Sequence, residues 1–223
     1  MSTTVIIPTK NEVIGVEKIL PQVKKEWADE WIVMDGNSKD GTVDAAEKLN
    51  FNVIQQTGKG AGNACREGVK HAHSENVLFF HPDGNCKPEY IPKLIKKLEE
   101  GNYDVVQISR FGKSGSSDDD SLLTAFGNQM FTFLVNIFFG GHLTDALYGY
   151  KIVKKKVFED LDLDADFLTL EQQISIRTSK FGLKIAEIGG NEPARIGGER
   201  KMIPHIVGSQ LSKQIIKEFI FWK

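Results

Sequence analysis

The 223-residue sequence is poor in cysteine and has no surplus of either charge. Cys65 and Cys86 are its only thiols, and they form no C-x-x-C pair. A disulfide framework is therefore not expected, and a reducing compartment is the default. With 28 basic against 30 acidic residues, the net charge is -2. That is not the Lys/Arg excess of a general nucleic-acid binder, so no nucleic-acid partner is expected. Long apolar runs are also missing. The first one, Val5-Ile6-Ile7, stops at Pro8, so no signal peptide is expected. Residues 130–141 make the longest candidate, contain Asn136, and fall short of the roughly 18 to 20 apolar residues of a membrane span. No internal repeat is visible.

What remains is an ordinary globular composition, 40% hydrophobic and 26% charged. It predicts one sizeable core and one domain over 1–223. Short, β-branched apolar runs at 4–8, 31–34, 52–55, 76–80, 104–109 and 183–188 read as buried parallel strands. Helical spacing lies between the early ones. Val16, Ile19, Leu20 and Val23 share a face behind Asn11, the candidate N-cap; Ile91, Leu94, Ile95 and Leu98 share another, with Gly101 placed to end it. Strand–helix alternation over the first 110 residues predicts a doubly wound α/β sheet, whose ligands bind beyond the strands' carboxyl ends. Residues 112–121 (GKSGSSDDDS) read as a mobile loop. Residues 122–141 are an apolar, Phe-rich helical stretch. Leu170, Ile174 and Arg177 belong to a further helix closed by Gly182. From Arg195 onward Arg195, Arg200, Lys201, Lys213, Lys217 and Lys223 outnumber Glu199 and Glu218. A basic end on an acidic body points to phosphate or a membrane surface.

Three strand ends are polar and glycine-containing. The first carries Pro8, Thr9, Lys10, Asn11 and Glu12. The second carries Asp35-Gly36-Asn37-Ser38, then Asp40-Gly41. Beyond the third come Gly58, Lys59, Gly60, Gly62 and Asn63. Nucleotides need such an edge: glycines let backbone approach phosphate or base, and a carboxylate such as Asp35 binds ribose hydroxyls. Either Asp-Gly pair by itself reads equally as a turn. The glycines form no G-x-G-x-x-G and follow the third strand, which disfavours a dinucleotide dehydrogenase.

The stretches IIPTKNE, VMDGNSKDGT, GKGAGNACREG, FFHPDGNCKPEYIPKL, SRF, DALYGYK and RIGGERK resemble, in order, family 2 inverting glycosyltransferases. Within that family they resemble the dolichyl- or polyprenyl-phosphate mannose synthase and glucosyltransferase branch. The resemblance runs from residue 5 to about 201. It implies a GT-A fold: a Rossmann-like, doubly wound mixed sheet, mostly parallel, with helices on both faces. It divides the chain into a nucleotide-sugar-binding half, 1–110, and an acceptor-binding half, 111–223. The implied reaction moves a hexose from a GDP- or UDP-hexose to a polyprenyl phosphate, with inversion.

The resemblance also assigns residues. The family's Asp-x-Asp reads His81-Pro82-Asp83 here, with Asn85 beyond. Asp83, Asn85 and His81 are the implied ligands of a divalent cation, Mg²⁺ or Mn²⁺, and Pro82 with Asp83 faces the donor. Three readings of His81 stand: ligand of a softer metal, bystander to Asp83 and Asn85, or sign of weakened metal dependence. Arg110, Arg195, Arg200 and Lys201 are the implied acceptor-phosphate cations. Asp83, Arg110, Asp145 and Glu171 make the implied catalytic set. Glu171 reads equally as a helix N-terminal carboxylate. Asp118, Asp119 and Asp120 read as a second metal site or a solvated acidic loop. Tyr148 stands where the family has Ser, and Arg200 also replaces a Ser.

Three alternatives are carried: transfer to a sugar hydroxyl with Asp145 or Glu171 as base, a sugar nucleotidyltransferase, or a catalytically weak nucleotide-sugar-binding protein. A polyprenyl acceptor implies peripheral docking at the cytoplasmic face of a membrane. Residues 122–141 then lie either at that surface or in the core, and the Phe219-to-Lys223 end is suited to an interface.

Overall fold

The computed structural model describes residues 1–197 and 203–220. Arg200, Lys201 and the last three residues lie outside the described residues. Among the described residues, nine strands form two sheets. β1 (Thr3–Thr9), β2 (Glu30–Asp35), β3 (Asn52–Gln55), β4 (Asn76–Phe79), β5 (Val105–Ser109), β7 (Lys151–Lys154) and β8 (Ile185–Gly189) make the large one, in the order β3-β2-β1-β4-β7-β5-β8. All pairs are parallel except those of β7, which is antiparallel to both β4 and β5. β6 (Ser116–Ser117) and β9 (Asn191–Glu192) make a small parallel pair beside it.

Eight α-helices accompany the strands among the described residues. They are α1 (Val13–Ile19), α2 (Thr42–Lys48), α3 (Ala61–His71), α4 (Ile91–Gly101), α5 (Leu122–Phe139), α6 (Lys155–Asp160), α7 (Thr169–Lys180) and α8 (Pro204–Ile220). Side-chain alternation along the strands separates two cores. Val5, Ile7, Val33, Phe80, Val106 and Ile108 pack toward α1, α2 and α4. Ile6, Ile32, Met34, Phe79, Val105 and Val153 pack toward α3, α6 and α7. Each fully buried Phe or Ile on these faces contributes roughly 1.5–3 kcal/mol. A third cluster joins α5, α7 and α8 through Phe131, Val135, Phe139, Ile176, Leu211 and Ile215.

The six expected strands are present. β7 was not expected. It carries lysine at both ends, and one of them, Lys151, is fully buried against Glu171, with Nζ 3.1 Å from Oε2. Asn11 is not the N-cap of α1. It takes a left-handed φ of 50°, and its Oδ1 accepts the Lys39 N–H at 2.9 Å. Asp40 caps α1 instead: Oδ2 accepts from Val13 N at 3.1 Å, and Oδ1 from Thr42 N at 3.1 Å. Gly101 is the last residue of α4, and the left-handed cap is Asn102 at φ 47°. Gly140 and Gly182 do take left-handed conformations, after α5 and α7.

The loop 112–121 is built rather than free, because β6 pairs with β9. Its acidic run is not uniformly solvated: the Asp120 side chain is 5% exposed and held by Asn128 and Arg110. Helix α5 departs from the sequence reading in two ways. It has 18 residues with a mean hydropathy of 1.4, long and apolar enough by those measures to cross a membrane. Only Phe131, Thr132, Val135 and Phe139 are buried. Leu122, Leu123, Phe126, Phe133, Ile137 and Phe138 are exposed, so the core does not absorb the helix.

Candidate active site

The carboxyl ends of β1, β2, β3 and β4 lie along one edge, as their parallel pairing requires. A cleft of about 550 Å³ opens there. Pro8, Thr9 and Glu12 line it from the end of β1, and Gly60 from the start of α3. His81, Asp83 and Asn85 line it from beyond β4, and Arg110, Glu171 and Arg195 close it. Ten residues expected from the sequence thus meet in one place. Asn11, Asp35, Ser38, Lys59, Asn63, Pro82 and Asp145 do not line the cleft.

Asp35 shows why some are set back. It has no exposed surface. Its carboxylate accepts from Thr9 Oγ1 at 3.1 Å, Ser38 N at 2.8 Å and Ser38 Oγ at 2.5 Å. In this state it is buried and braces the loop around the cleft. The glycines after β3 also answer to protein first. Gly60 has φ +93°, and a Cβ there would lie 2.1 Å from the Asp166 carbonyl oxygen. A Cβ on Gly62 would lie 2.6 Å from the Phe167 carbonyl oxygen. They let the segment before α7 close over α3, which brings Phe167 and Leu168 to the cleft.

Asp83 sits in a turn whose Oδ1 accepts the Asn85 N–H at 3.0 Å. Its Oδ2 pairs with Arg195 Nη2 at 2.7 Å, and Arg195 Nη1 reaches Glu12 Oε1 at 3.2 Å. The Asn85 amide donates to the Pro193 carbonyl at 2.7 Å. A ring at His81 and a carboxylate at Glu171 flank Gly149, where a Cβ would meet His81 Nε2 at 3.2 Å and Glu171 Oε1 at 3.3 Å. No group of three or more His, Cys, Asp or Glu suited to a metal occurs among the described residues.

Arg110 is a hub. Its Nε and Nη2 hold Asp145 at 2.7 and 3.0 Å in a two-pronged pair, and Nη1 lies 3.4 Å from both Asp120 and Glu192. Tyr148 packs its ring against the guanidinium, 4.7 Å from Cζ. Burial works against the charge, but Asp145, then Glu192 and Asp120, hold it above its ordinary value. Burial pushes Glu192 up, only partly opposed by Arg110. The expected phosphate-binding arginine is therefore occupied by three carboxylates. Asp145, expected as a candidate base, is fully buried in that pair and does not line the cleft. The thiols stay free and buried, and burial raises both Cys65 and Cys86.

Sequence reasoning missed Gln56, Leu147, Glu192 and the apolar wall from Ile203, Ile206, Val207 and Leu211, all lining the cleft. For that wall the signal was present: Ile203, Val207 and Leu211 recur at helical spacing.

Comparison with known proteins agrees with this fold. The model of the family described as glycosyl transferase family 2 matches residues 4–162. Glycosyltransferase AglJ of Haloferax volcanii is 30% identical over 183 residues, 81% of this chain but 59% of that protein. The dolichyl-phosphate hexose transferase of the same organism is 27% identical over 96% of this chain and 92% of its own length. Among solved structures, glucosyl-3-phosphoglycerate synthase of Mycobacterium tuberculosis superposes with a TM-score of 0.77 at 19% identity, covering 98% of this chain and 80% of that one. Structures of that synthase contain UDP with Mn²⁺ or with Mg²⁺. The fold is the GT-A arrangement of a mostly parallel mixed sheet, and the chain belongs to glycosyl transferase family 2.

Proposed function

We propose that the chain transfers a hexose from a nucleotide-diphospho-sugar to a polyprenyl phosphate, with inversion, while docked on the cytoplasmic face of a membrane. One observation carries this reading. The cleft has an apolar wall of Ile203, Ile206, Val207 and Leu211, and the helix that supplies most of it, α8, joins α5 in a broad exposed apolar face. Phe138 of α5 meets Phe219 of α8 on that face, ring to ring at 5.6 Å. A hydrophilic acceptor needs no such wall. Phe131, Val135 and Phe139 fix α5 to the rest of the chain. The helix is therefore suited to lying in the interface rather than crossing the bilayer.

A phosphate acceptor is already an anion at neutral pH and needs little general-base help. The protein's contribution is then positioning and electrostatics. Thr9, Glu12 and Gly60 border the donor, with Asp35 and Ser38 bracing its loop from behind. Arg195 lines the cleft as the cation offered to a phosphate, its guanidinium resting on Asp83 and Glu12, with Arg200 and Lys201 following in sequence. Asp83 suits a divalent cation, since a positive group already stands at its Oδ2; Asp83 would hold the ion and His81 would add a nitrogen ligand. Such an ion would supply positive charge to the departing diphosphate.

Transfer to a sugar hydroxyl is the second reading, favoured by Glu171, which lines the cleft where Asp145 does not. Two measurements separate them. Thermal shifts with UDP-, GDP-, dTDP- and CDP-sugars, each with Mg²⁺, Mn²⁺ or EDTA, identify the donor. Labelled donor is then offered to polyprenyl phosphate or to soluble glycans. Label in the lipid fraction is expected; label only in glycans assigns the second reading.

A further inference from the structure

Asp83 is asked to serve two cations. Its Oδ2 carries the Arg195 guanidinium at 2.7 Å, and its Oδ1 is engaged by the Asn85 N–H at 3.0 Å. A small divalent ion sits about 2.1 Å from an oxygen ligand. An ion on Oδ2 therefore competes with the guanidinium for one oxygen. We propose that Arg195 and a divalent cation exchange at Asp83. The guanidinium is the resting counter-ion. The cation displaces it as the donor binds, and the released guanidinium turns to the acceptor's phosphate. The inference rests on the proposed transfer to a phosphate acceptor and ties cation binding to the release of the guanidinium from Asp83.

Two features of the structure make the exchange workable. The main chain around Arg195 is anchored independently of the guanidinium. Ile196 N donates to the Asp83 carbonyl at 3.0 Å, Asn85 Nδ2 to the Pro193 carbonyl at 2.7 Å, and Arg195 N to Asp119 Oδ1 at 3.3 Å. Ile196 also packs on Gly84, where φ is +95° and a Cβ would lie 2.8 Å away. The side chain can leave Asp83 while its backbone stays at the cleft. The resting pose is also incomplete: Arg195 Nε is buried and has no partner among the described residues. A buried donor without an acceptor is costly. A phosphate accepting two parallel N–H bonds would satisfy Nε together with one Nη.

The test needs neither sugar nor lipid. Mn²⁺ alone is titrated into the full chain, and free ion is read by electron paramagnetic resonance. Replacing the guanidinium with a neutral group removes the competitor, so Arg195→Gln should tighten Mn²⁺ about tenfold, within the usual range of site-to-site coupling. Arg195→Ala should shift affinity in the same direction, which covers a folding defect in either variant alone. Arg195→Lys keeps a cation and should stay near the unsubstituted chain. Adding Asp83→Asn to Arg195→Gln should erase the gain. Unchanged or weaker Mn²⁺ binding in the neutral variants, or a gain that survives Asp83→Asn, overturns the exchange. Either result leaves the transfer reading standing, because that reading fails only if no hexose reaches polyprenyl phosphate.

Discussion

Arg110 carries one positive charge against Asp120, Asp145 and Glu192, all nearly buried. Removing it strands three carboxylates at once, so Arg110→Ala should cost about 3–5 kcal/mol of stability, measured by urea unfolding. Glu192 answers to pH. Burial raises its carboxyl above the ordinary 4.5, so folding favours its protonated form. Its stabilising contribution is complete below pH 4.5 and is lost as pH rises through the raised value. Glu192→Gln should flatten that part of the stability–pH curve and leave the more acidic limb unchanged. Asp83 is tested in the cleft itself: Asp83→Ala should lower transfer by about 100-fold or more. His81→Asp should retain transfer and move metal preference toward Mg²⁺, since hard ions favour oxygen; titration of both ions into each variant checks it.

At the scale of elements, α5 raises the sharpest question, because a sequence cannot show whether an apolar face has a partner. Phe126 and Phe133 are 66% and 59% exposed. The double change Phe126→Asp with Phe133→Asp should abolish co-sedimentation with anionic liposomes and move stability by less than about 1 kcal/mol. If α5 were a core helix in solution, the same pair would unfold the chain. Other elements were legible for reasons of the same kind. Of the six expected strands, β1, β2, β4 and β5 are short apolar runs that the sheet buries on both faces, so composition alone marks them; β3 and β8, at the sheet's edges, are only partly buried. β7 escaped because Lys151 and Lys154 look solvent-facing, and its partner Glu171 lies twenty residues on. The strand-end residues of the cleft were readable because parallel pairing puts consecutive loops on one edge. The roles of Arg110 and Asp145 were not. Their pairing depends on carboxylates from positions 120, 145 and 192, which no local pattern links.

For the whole molecule, the proposed docking of α5 and α8 on a membrane changes what concentration means. A nucleotide sugar reaches the cleft from bulk water, in three dimensions. A lipid acceptor reaches a docked protein by lateral diffusion within a sheet of neighbours. Its encounter rate depends on acceptor molecules per unit area, whatever the volume of buffer around the vesicles. Diluting the acceptor with inert phospholipid at constant total acceptor should therefore slow transfer in proportion to its mole fraction, while diluting the vesicle suspension with buffer that holds the donor concentration constant should change the rate per bound protein little. Initial rates along both series check this. A bilayer crowded with acceptor near the protein can then saturate a cleft that the same number of molecules, spread thinly over more membrane, would leave idle.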